Sequence, residues 1–308
     1  MKTKINFGLL QRKYLSPETL LHLTTFSALF LALYFINSAC YTYAFDSTPT
    51  RWQVYSKIVQ VNGTSCIALI NAIFLLLYIA KIPFFEQFKV NNLEWPWVEN
   101  PSRWKEIWPD CVKTYIINQL VLFPPIFLLV VYVFNTDISI DTIPSMQRVL
   151  WQLLLCTATE DFIFYFSHRM LHQPFFYSRV HKKHHSFYNV FHMSAVYAHW
   201  FEFIAGNLIP LFSGAILLGP KMHIVSLLTF IMFRTIETHE THSGYEFPWS
   251  AFKIFPFSTD SAYHNYHHLK NIGNYSSFMI IWDTVFRTNQ HYYREIETST
   301  NQKVACDK

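Results

Sequence analysis

Long apolar runs separated by short polar stretches dominate the pattern of the chain. They extend from Thr19 to about Phe45, from Cys66 to Ala80, from Val121 to Phe134 and from Arg148 to about Phe166. A helix needs about 20 mostly apolar residues to cross a bilayer, and with their flanking residues these runs are of that order. They therefore predict four membrane-spanning helices, the third kinked at the tandem Pro124-Pro125.

Two shorter apolar runs follow, NLIPLFSGAILLG and HIVSLLTFIMF, with Pro220 and Lys221 between them. Their length predicts a hydrophobic hairpin or a re-entrant pair. The expected fold is therefore an all-α integral membrane protein with about four transmembrane helices plus a hydrophobic hairpin.

The composition agrees with a membrane protein. Hydrophobic residues make up 51% of the 308 residues and charged residues 14%, against roughly 25% charged in soluble proteins. The net charge of +4 forms no basic stripe, and the lysines and arginines lie mostly beside the apolar runs, as the positive-inside rule describes. We expect a lipid bilayer around the protein and no nucleic acid as a partner.

The orientation follows if the basic residues 1–15 lie in the cytosol. The second and fourth spans then return the chain to the cytosol, where EWPWVENPSRWKEIW is expected at the membrane interface, as Trp and Lys prefer. The segment that begins at His168 emerges on the same side. The sequon Asn62-Gly63-Thr64 is expected on the lumenal side, close to the membrane.

Histidines are concentrated in one part of the chain. All but two of the 15 lie between His168 and His268, and three clusters repeat helical spacings. The clusters are His168 and His172 in HxxxH, His181, His184 and His185 in HxxHH, and His264, His267 and His268 in a second HxxHH. Residues at i, i+3 and i+4 share a helix face, and neutral imidazole binds zinc, iron, copper and nickel, so the clusters predict metal ligands.

The residue types in and near the clusters limit which metals are expected. A structural zinc site would use cysteine, and the five cysteines form no metal-binding spacing. His239-Glu240-Thr241-His242 is one residue short of the HExxH of zinc proteases. An all-histidine site for two irons fits better, although the spacing leaves other metals open. His22, His192, His223 and His291 are assigned to structural roles.

Acidic residues accompany the histidines. Glu160 and Asp161 lie inside the fourth apolar run, where an acid is costly and usually functional. We expect them to accept the distal N–H of ligand histidines, which fixes the tautomer and the ring orientation. Glu202 and Glu237 have the same expected role. Ion pairs with Arg169 or Arg179 are the alternative.

The order of these motifs resembles a known family. HRMLH, HKKHH, YAHWFE, ETHETHSGYEFP, YHNYHH and NIGNYSSF…WDTVF are similar to the fatty acid hydroxylase/sterol desaturase superfamily, and within it to the C-4 methylsterol monooxygenases. The likeness covers roughly residues 95–290. It divides the chain into a membrane-anchoring region, 1–145, a catalytic region, 146–290, and a tail, 291–308.

The resemblance implies two irons held by the eight clustered histidines, with His199 and His242 as further ligands. It also implies dioxygen as oxidant, electrons from NAD(P)H through a reductase and cytochrome b5, and an endoplasmic reticulum membrane with the site facing the cytosol. Trp200 replaces the proline usual in the family, and His239 replaces an aliphatic residue. We assign His239 to the surroundings of the ligands, and Trp200, Phe201 and Tyr245 to a sterol pocket.

The expected reaction is oxidation of the C-4 methyl group of a 4-methylsterol. One alternative is a hydroxylase, desaturase or dealkylase of the same superfamily that acts on another sterol position or an acyl lipid. FPWS after HSGYE, for example, also resembles the cholesterol 25-hydroxylases. A different class of alternative is a histidine-rich membrane protein that binds or transports metal.

Overall fold

The computed structural model describes residues 17–255 and 257–306, without the side chains of Asn62 and of residues 299–306. The helices are α1 (Pro17–Ala44), α2 (Arg51–Ala80), α3 (Pro83–Glu86), α4 (Pro96–Glu99), α5 (Pro101–Val133), α6 (Met146–Leu171), α7 (Pro174–Arg179), α8 (Trp200–Lys221), α9 (Ile224–Thr241), α10 (Ser261–Lys270), α11 (Ile281–Phe286) and α12 (Gln290–Cys306). Short 3₁₀ helices cover Ile140–Thr142, His181–Ser186, His192–Val196 and Ala251–Ile254.

The predicted all-α membrane fold is confirmed. Over the described ranges the chain forms no strand, only isolated β-bridges such as Lys89 with Tyr245. Five helices, α1, α2, α5, α6 and α8, are long and apolar enough to cross a membrane. Four of them contain the four predicted spans. The fifth, α8, is the first arm of the predicted hairpin, and α9 follows it after two residues.

α2 and α5 begin well before their apolar runs because polar caps start them early. Thr50 and Gln53 form a reciprocal capping box at the start of α2, and the side chain of Asn100 accepts the Arg103 N–H at the start of α5. The sequon at Asn62 therefore lies inside α2.

In α5 and α8 a wider helical turn comes shortly before one of the prolines. α5 has a π-helical turn at Ile117–Leu122, ahead of Pro124, and α8 has one at Phe203–Leu208, ahead of Pro210. A proline ring clashes with the carbonyl four residues earlier and donates no N–H, so a wider turn accommodates it. The π-helical turn lies next to the tandem prolines of α5, and the kink expected there stays a prediction.

Alternating helix ends meet at one end of the bundle, which we call the histidine end and which contains residues 168–185. His22 near the start of α1 bonds the Ser250 carbonyl, Tyr78 near the end of α2 donates to the Ser243 carbonyl, and Lys183 donates to Thr114 in the first half of α5. At the opposite end, Arg148 of α6 donates to the Lys221 carbonyl of α8. The expected cytosolic residues 1–15 lie outside the described ranges.

The tryptophan-rich segment contributes to the interior of the histidine end. Trp95 is 1% exposed and packs against Tyr78, Trp97 and Tyr245, with ring centroids 4.6, 5.6 and 5.7 Å away. The ring of Trp95 thus belongs to the protein interior, and the position of the segment at the membrane interface stays a prediction.

α6 and α8 approach each other closely at Gly214. A Cβ at this position would lie 2.8 Å from Cα of Cys156 on α6, which is closer than real Cβ atoms come to a backbone. Small residues allow such close contact between membrane helices. This contact fixes the distance between α6 and α8, and both helices carry residues of the histidine end.

Candidate metal centre

Nine histidines converge into two groups at the histidine end. The first group comprises His168, His172, His181, His185 and His267, and the second comprises His184, His242, His264 and His268. Within each group the ring nitrogens lie within 4.8 Å of one another. The set comprises the eight histidines of the predicted clusters and His242.

Each HxxHH motif divides its histidines between the two groups. His181 and His185 serve the first group, with Nε2 atoms 3.0 Å apart, whereas His184 serves the second. The second motif does the reverse: His264 and His268 share the second group, with Nε2 atoms 3.2 Å apart, and His267 joins the first.

The ring geometry explains this division. In both motifs the first two histidines stack side by side, with ring centroids 5.5 and 5.6 Å apart, so each ring reaches a different group. Both motifs lie on helices, as expected, but the helices differ: the second motif lies on α10, and His181–Ser186 forms a 3₁₀ helix with three residues per turn.

Hydrogen bonds at the distal nitrogens orient the rings. Nδ1 of His168 donates to the Tyr275 carbonyl at 2.9 Å, Nδ1 of His267 to the Gly273 carbonyl at 2.6 Å and Nδ1 of His242 to the Thr238 carbonyl at 2.9 Å. A carbonyl only accepts, so Nδ1 carries the proton in these rings and a neutral Nε2 presents a lone pair.

Lone pairs that face one another at hydrogen-bond distance need a cation between them. Nε2 of His172 lies 2.9 Å from Nε2 of His181 and 3.1 Å from Nε2 of His267, and in the second group Nε2 of His264 lies 2.8 Å from Nε2 of His242. A proton satisfies one such pair but not a whole group. The donor set therefore fits two metal ions, one per group.

The electrostatic environment keeps these rings neutral. Burial lowers the pKa of His184 to about 3. Burial and then the neighbouring His242 hold the pKa of His264 well below its usual value, and burial, with His168 and His172, does the same for His267. Neutral imidazole is the form that binds metal.

Among the predicted carboxylates, Glu202 is the one that contacts a clustered histidine. Nδ1 of His181 donates to Oε1 of Glu202 at 2.8 Å, and both side chains are buried. A carboxylate in this position fixes the tautomer and increases the basicity of the ligand nitrogen. Glu202 lies in the first turn of α8, so that helix is tied to the first histidine group.

Glu160 and Glu237 instead share an arginine on α9. Arg234 donates from Nε to Oε1 of Glu160 at 2.8 Å and from Nη1 to Glu237. The alternative partners of Glu160, Arg169 and Arg179, are not used, because Arg234 enters the buried space between α6 and α9.

Asp161 holds part of the backbone between α10 and α11 by hydrogen bonds. Oδ1 of Asp161 accepts the N–H groups of Phe278 and Met279 at 2.8 and 2.9 Å. Asp161, like Glu160 and Glu237, thus has partners other than the distal nitrogens that we expected.

Asp283 is a site residue to which the sequence analysis assigned no role, although it belongs to the quoted WDTVF motif. Its buried carboxylate accepts the N–H groups of Tyr275 and Ser276, both at 2.9 Å, the Tyr263 hydroxyl at 2.9 Å and the Thr288 hydroxyl at 2.5 Å. These bonds fold the loop whose carbonyls hold His168 and His267.

Gly273 in the same loop has no room for a side chain. Its φ is +65°, and a Cβ there would lie 1.9 Å from the Thr288 carbonyl oxygen. Glycine adopts this conformation at no steric cost, and the Gly273 carbonyl is thereby placed on His267. The NIGNYSSF motif is explained by this loop.

The structure does not bring His199 into either group. It caps α8, with Nδ1 accepting the Phe201 N–H at 3.2 Å. Trp200 is 54% exposed, and Phe201 stacks on Phe176. Tyr245 is fully buried and donates its hydroxyl to Glu86 at 2.6 Å.

Two adjoining cavities lie beside the histidines. A small one of about 40 Å³ is lined by members of both groups, including His168 and His184. A larger one of about 260 Å³, mostly apolar, extends between α2, α5, α8 and α9. Ala195, Asn207, Arg234 and Thr238 line both cavities and separate them. The predicted pocket residues Trp200, Phe201 and Tyr245 line neither.

Comparison with known proteins identifies relatives of the chain. Residues 153–288 match the model of the fatty acid hydroxylase family. No solved structure matches the chain.

Curated relatives cover most of the chain. Methylsterol monooxygenase 1 of Gallus gallus is 31% identical over 74% of this chain and 74% of its own length. The Rattus norvegicus protein of the same name is 32% identical over 70% of this chain and 71% of its own length. The C-4 methylsterol oxidase of Schizosaccharomyces pombe is 30% identical over 71% of this chain and 72% of its own length.

Proposed function

Because the chain belongs to the fatty acid hydroxylase family, with methylsterol monooxygenases among its relatives, we propose that it oxidises the C-4 methyl group of a 4-methylsterol, using dioxygen and two irons. The family and the oxidoreductase class expected from the histidine motifs are confirmed by these relatives. The observation that carries the proposal is the pair of buried imidazole groups beside an apolar cavity.

The nine histidines of the two groups are the proposed iron ligands, because their Nε2 lone pairs converge and imidazole suits iron. His199 is not included, since its ring lies in neither group. The irons supply, when bound, the activation of dioxygen that hydroxylation of an unactivated C–H bond requires. The protein contributes the orientation of the ligands through Glu202 and through the loop folded around Asp283.

The larger cavity is the proposed sterol site. It follows α2 from Tyr55 to Ile67, thirteen residues that span about 18 Å of helix at 1.5 Å per step. Its lining is mostly apolar, as a flat hydrocarbon requires. Arg234, which pairs with both Glu160 and Glu237, lies at the boundary with the histidine cavity, so neither of these buried carboxylates is without a basic partner.

The chain is a multi-pass membrane protein, and we propose that the histidine end faces the cytosol from the endoplasmic reticulum membrane. Basic residues support this orientation, since Lys81, Arg103, Lys105, Arg169, Arg179, Lys182 and Lys183 lie near the helix ends that meet there. The proposed electron source is NAD(P)H through a reductase and cytochrome b5. The division into regions 1–145, 146–290 and 291–308 remains a prediction.

The test combines metal analysis with lipid analysis. The protein is expressed in cells that lack C-4 demethylation, its iron content is measured after purification, and sterols are profiled by mass spectrometry. His184→Ala removes a ligand of the second group, and His291→Ala is the matched control, because that histidine lies on α12 outside both groups.

Wild type and His291→Ala should contain iron and deplete 4-methylsterols, whereas His184→Ala should contain less iron, because one ligand of the second group is missing, and should not deplete 4-methylsterols. An unchanged 4-methylsterol fraction with another lipid oxidised would overturn the substrate and keep the oxidase. Iron binding without any lipid change would favour the metal-binding alternative.

A further inference from the structure

His239 presents an unpartnered acceptor at the larger cavity. Its ring is 3% exposed and lines that cavity, and Nδ1 donates to the Thr235 carbonyl at 2.8 Å. Nε2 of this buried neutral ring therefore carries a lone pair, and it has no hydrogen-bond partner among the described residues. His239 belongs to neither histidine group.

The neighbouring hydroxyls on α9 are already engaged. The Thr235 hydroxyl donates to the Ile231 carbonyl at 2.8 Å, and the Thr238 hydroxyl donates to the Arg234 carbonyl at 2.9 Å. A buried acceptor without a partner costs free energy, and a bound molecule that donates a hydrogen bond removes that cost. The cavity thus favours an apolar ligand with a donor near His239.

We propose that Nε2 of His239 accepts a hydrogen bond from the hydroxyl group of an otherwise apolar substrate. Resting on the proposed function, this group is the 3-hydroxyl of the 4-methylsterol, which is bonded to the carbon next to C-4. His239 lies three residues, about 4.5 Å of helix, before His242 of the second group. Holding the 3-hydroxyl there places the C-4 methyl group near the histidines and selects the carbon that is oxidised.

The substrate series that tests this inference needs only the wild-type protein. Binding of a 3-hydroxy sterol, its 3-ketone and its 3-deoxy analogue is measured in detergent by competition with a radiolabelled 3-hydroxy sterol. An imidazole lone pair accepts from a hydroxyl but repels a ketone oxygen, so the ketone should bind about tenfold more weakly, and no better than the deoxy compound. Equal binding of all three would overturn the proposal.

Variants then assign the discrimination to one residue. His239→Leu should reduce the preference for hydroxyl over deoxy sterol from about tenfold to about onefold. His239→Gln, which has both a donor and an acceptor, should bind ketone and hydroxyl about equally. Thr235→Val is the matched control, since it removes a hydroxyl of the same cavity that is already bonded, and it should keep the wild-type ratio.

Iron content is measured in each variant to show that the two histidine groups are intact. Full discrimination in both His239 variants would overturn the proposal and assign the recognition to another lining group such as Asn207. The binding assay is independent of turnover. Hydroxyl discrimination without oxidation of 4-methylsterols would therefore reject the proposed function alone, and oxidation without discrimination would reject this inference alone.

Discussion

The loop around Asp283 makes a quantitative prediction about metal affinity. In the wild type each carboxylate oxygen of Asp283 accepts one backbone N–H and one hydroxyl: Oδ1 accepts those of Tyr275 and Thr288, and Oδ2 accepts those of Ser276 and Tyr263. In Asp283→Asn one of these two oxygens is replaced by an NH₂ group. A hydroxyl can rotate and accept from the amide, but a backbone N–H cannot. Either orientation therefore leaves one N–H unpaired, at a cost of about 1.5–3 kcal/mol.

That cost falls on the loop that orients the first histidine group. The Gly273 and Tyr275 carbonyls, which accept from His267 and His168, lose their fixed positions. Outer partners of this kind contribute roughly 10–100-fold to metal affinity. We expect a loss in that range for Asp283→Asn, measured as the apparent Fe(II) dissociation constant in competition with a chelator.

A control variant with a similar loss of stability distinguishes the loss of ligand orientation in Asp283→Asn from an effect of global destabilisation. Gly214→Ala forces a Cβ against Cys156 at the contact between α6 and α8, with an expected cost of about 1–3 kcal/mol and no contact with the loop. Thermal unfolding is recorded for both variants. Equal iron affinity in the two variants at equal stability would refute the role of the loop.

Further predictions concern the carboxylate, the helix contact and the metal itself. Glu202→Gln should weaken iron binding roughly 10–100-fold by weakening the acceptor for His181, as seen in the same chelator competition; unchanged affinity would contradict this role. Adding Cys156→Ala to Gly214→Ala should recover only part of the lost Tm, because the clash with the backbone Cα persists; full recovery would assign the clash to the sulfur alone. A chelator should lower the Tm of the wild type, since a ligand that binds only the native state stabilises it, and should lower the Tm of His184→Ala by less, because the second group of that variant lacks a ligand; equal shifts would mean that the second group contributes no stabilising ion.

Local spacing made the histidines predictable from the sequence. HxxxH and the two HxxHH motifs are visible because ligands on one helical turn repeat at three and four residues. The grouping of the ligands was not visible, because neighbours such as His184 and His185 serve different groups, and this depends on how α6, α9 and α10 pack.

Contacts between distant residues account for the differences between expectation and structure. Glu160 pairs with Arg234, 74 positions away, rather than with the nearby Arg169, and Trp200 is exposed although its motif suggested a pocket. Asp283 drew no assignment because its four partners come from three separate stretches of chain. The apolar pattern, in contrast, located the five helices of the described ranges that are long and apolar enough to cross a membrane, because membrane length is a property of a single segment.

The reciprocal division of the HxxHH motifs makes assembly of the two ion positions interdependent. An ion in the first group immobilises His181, His185 and His267, and through the chain these also restrict His184, His264 and His268. The second ion then finds its ligands already ordered and loses less conformational entropy on binding. We therefore expect loading to be cooperative, with few half-filled molecules, and a titration of the metal-free protein to be sigmoidal.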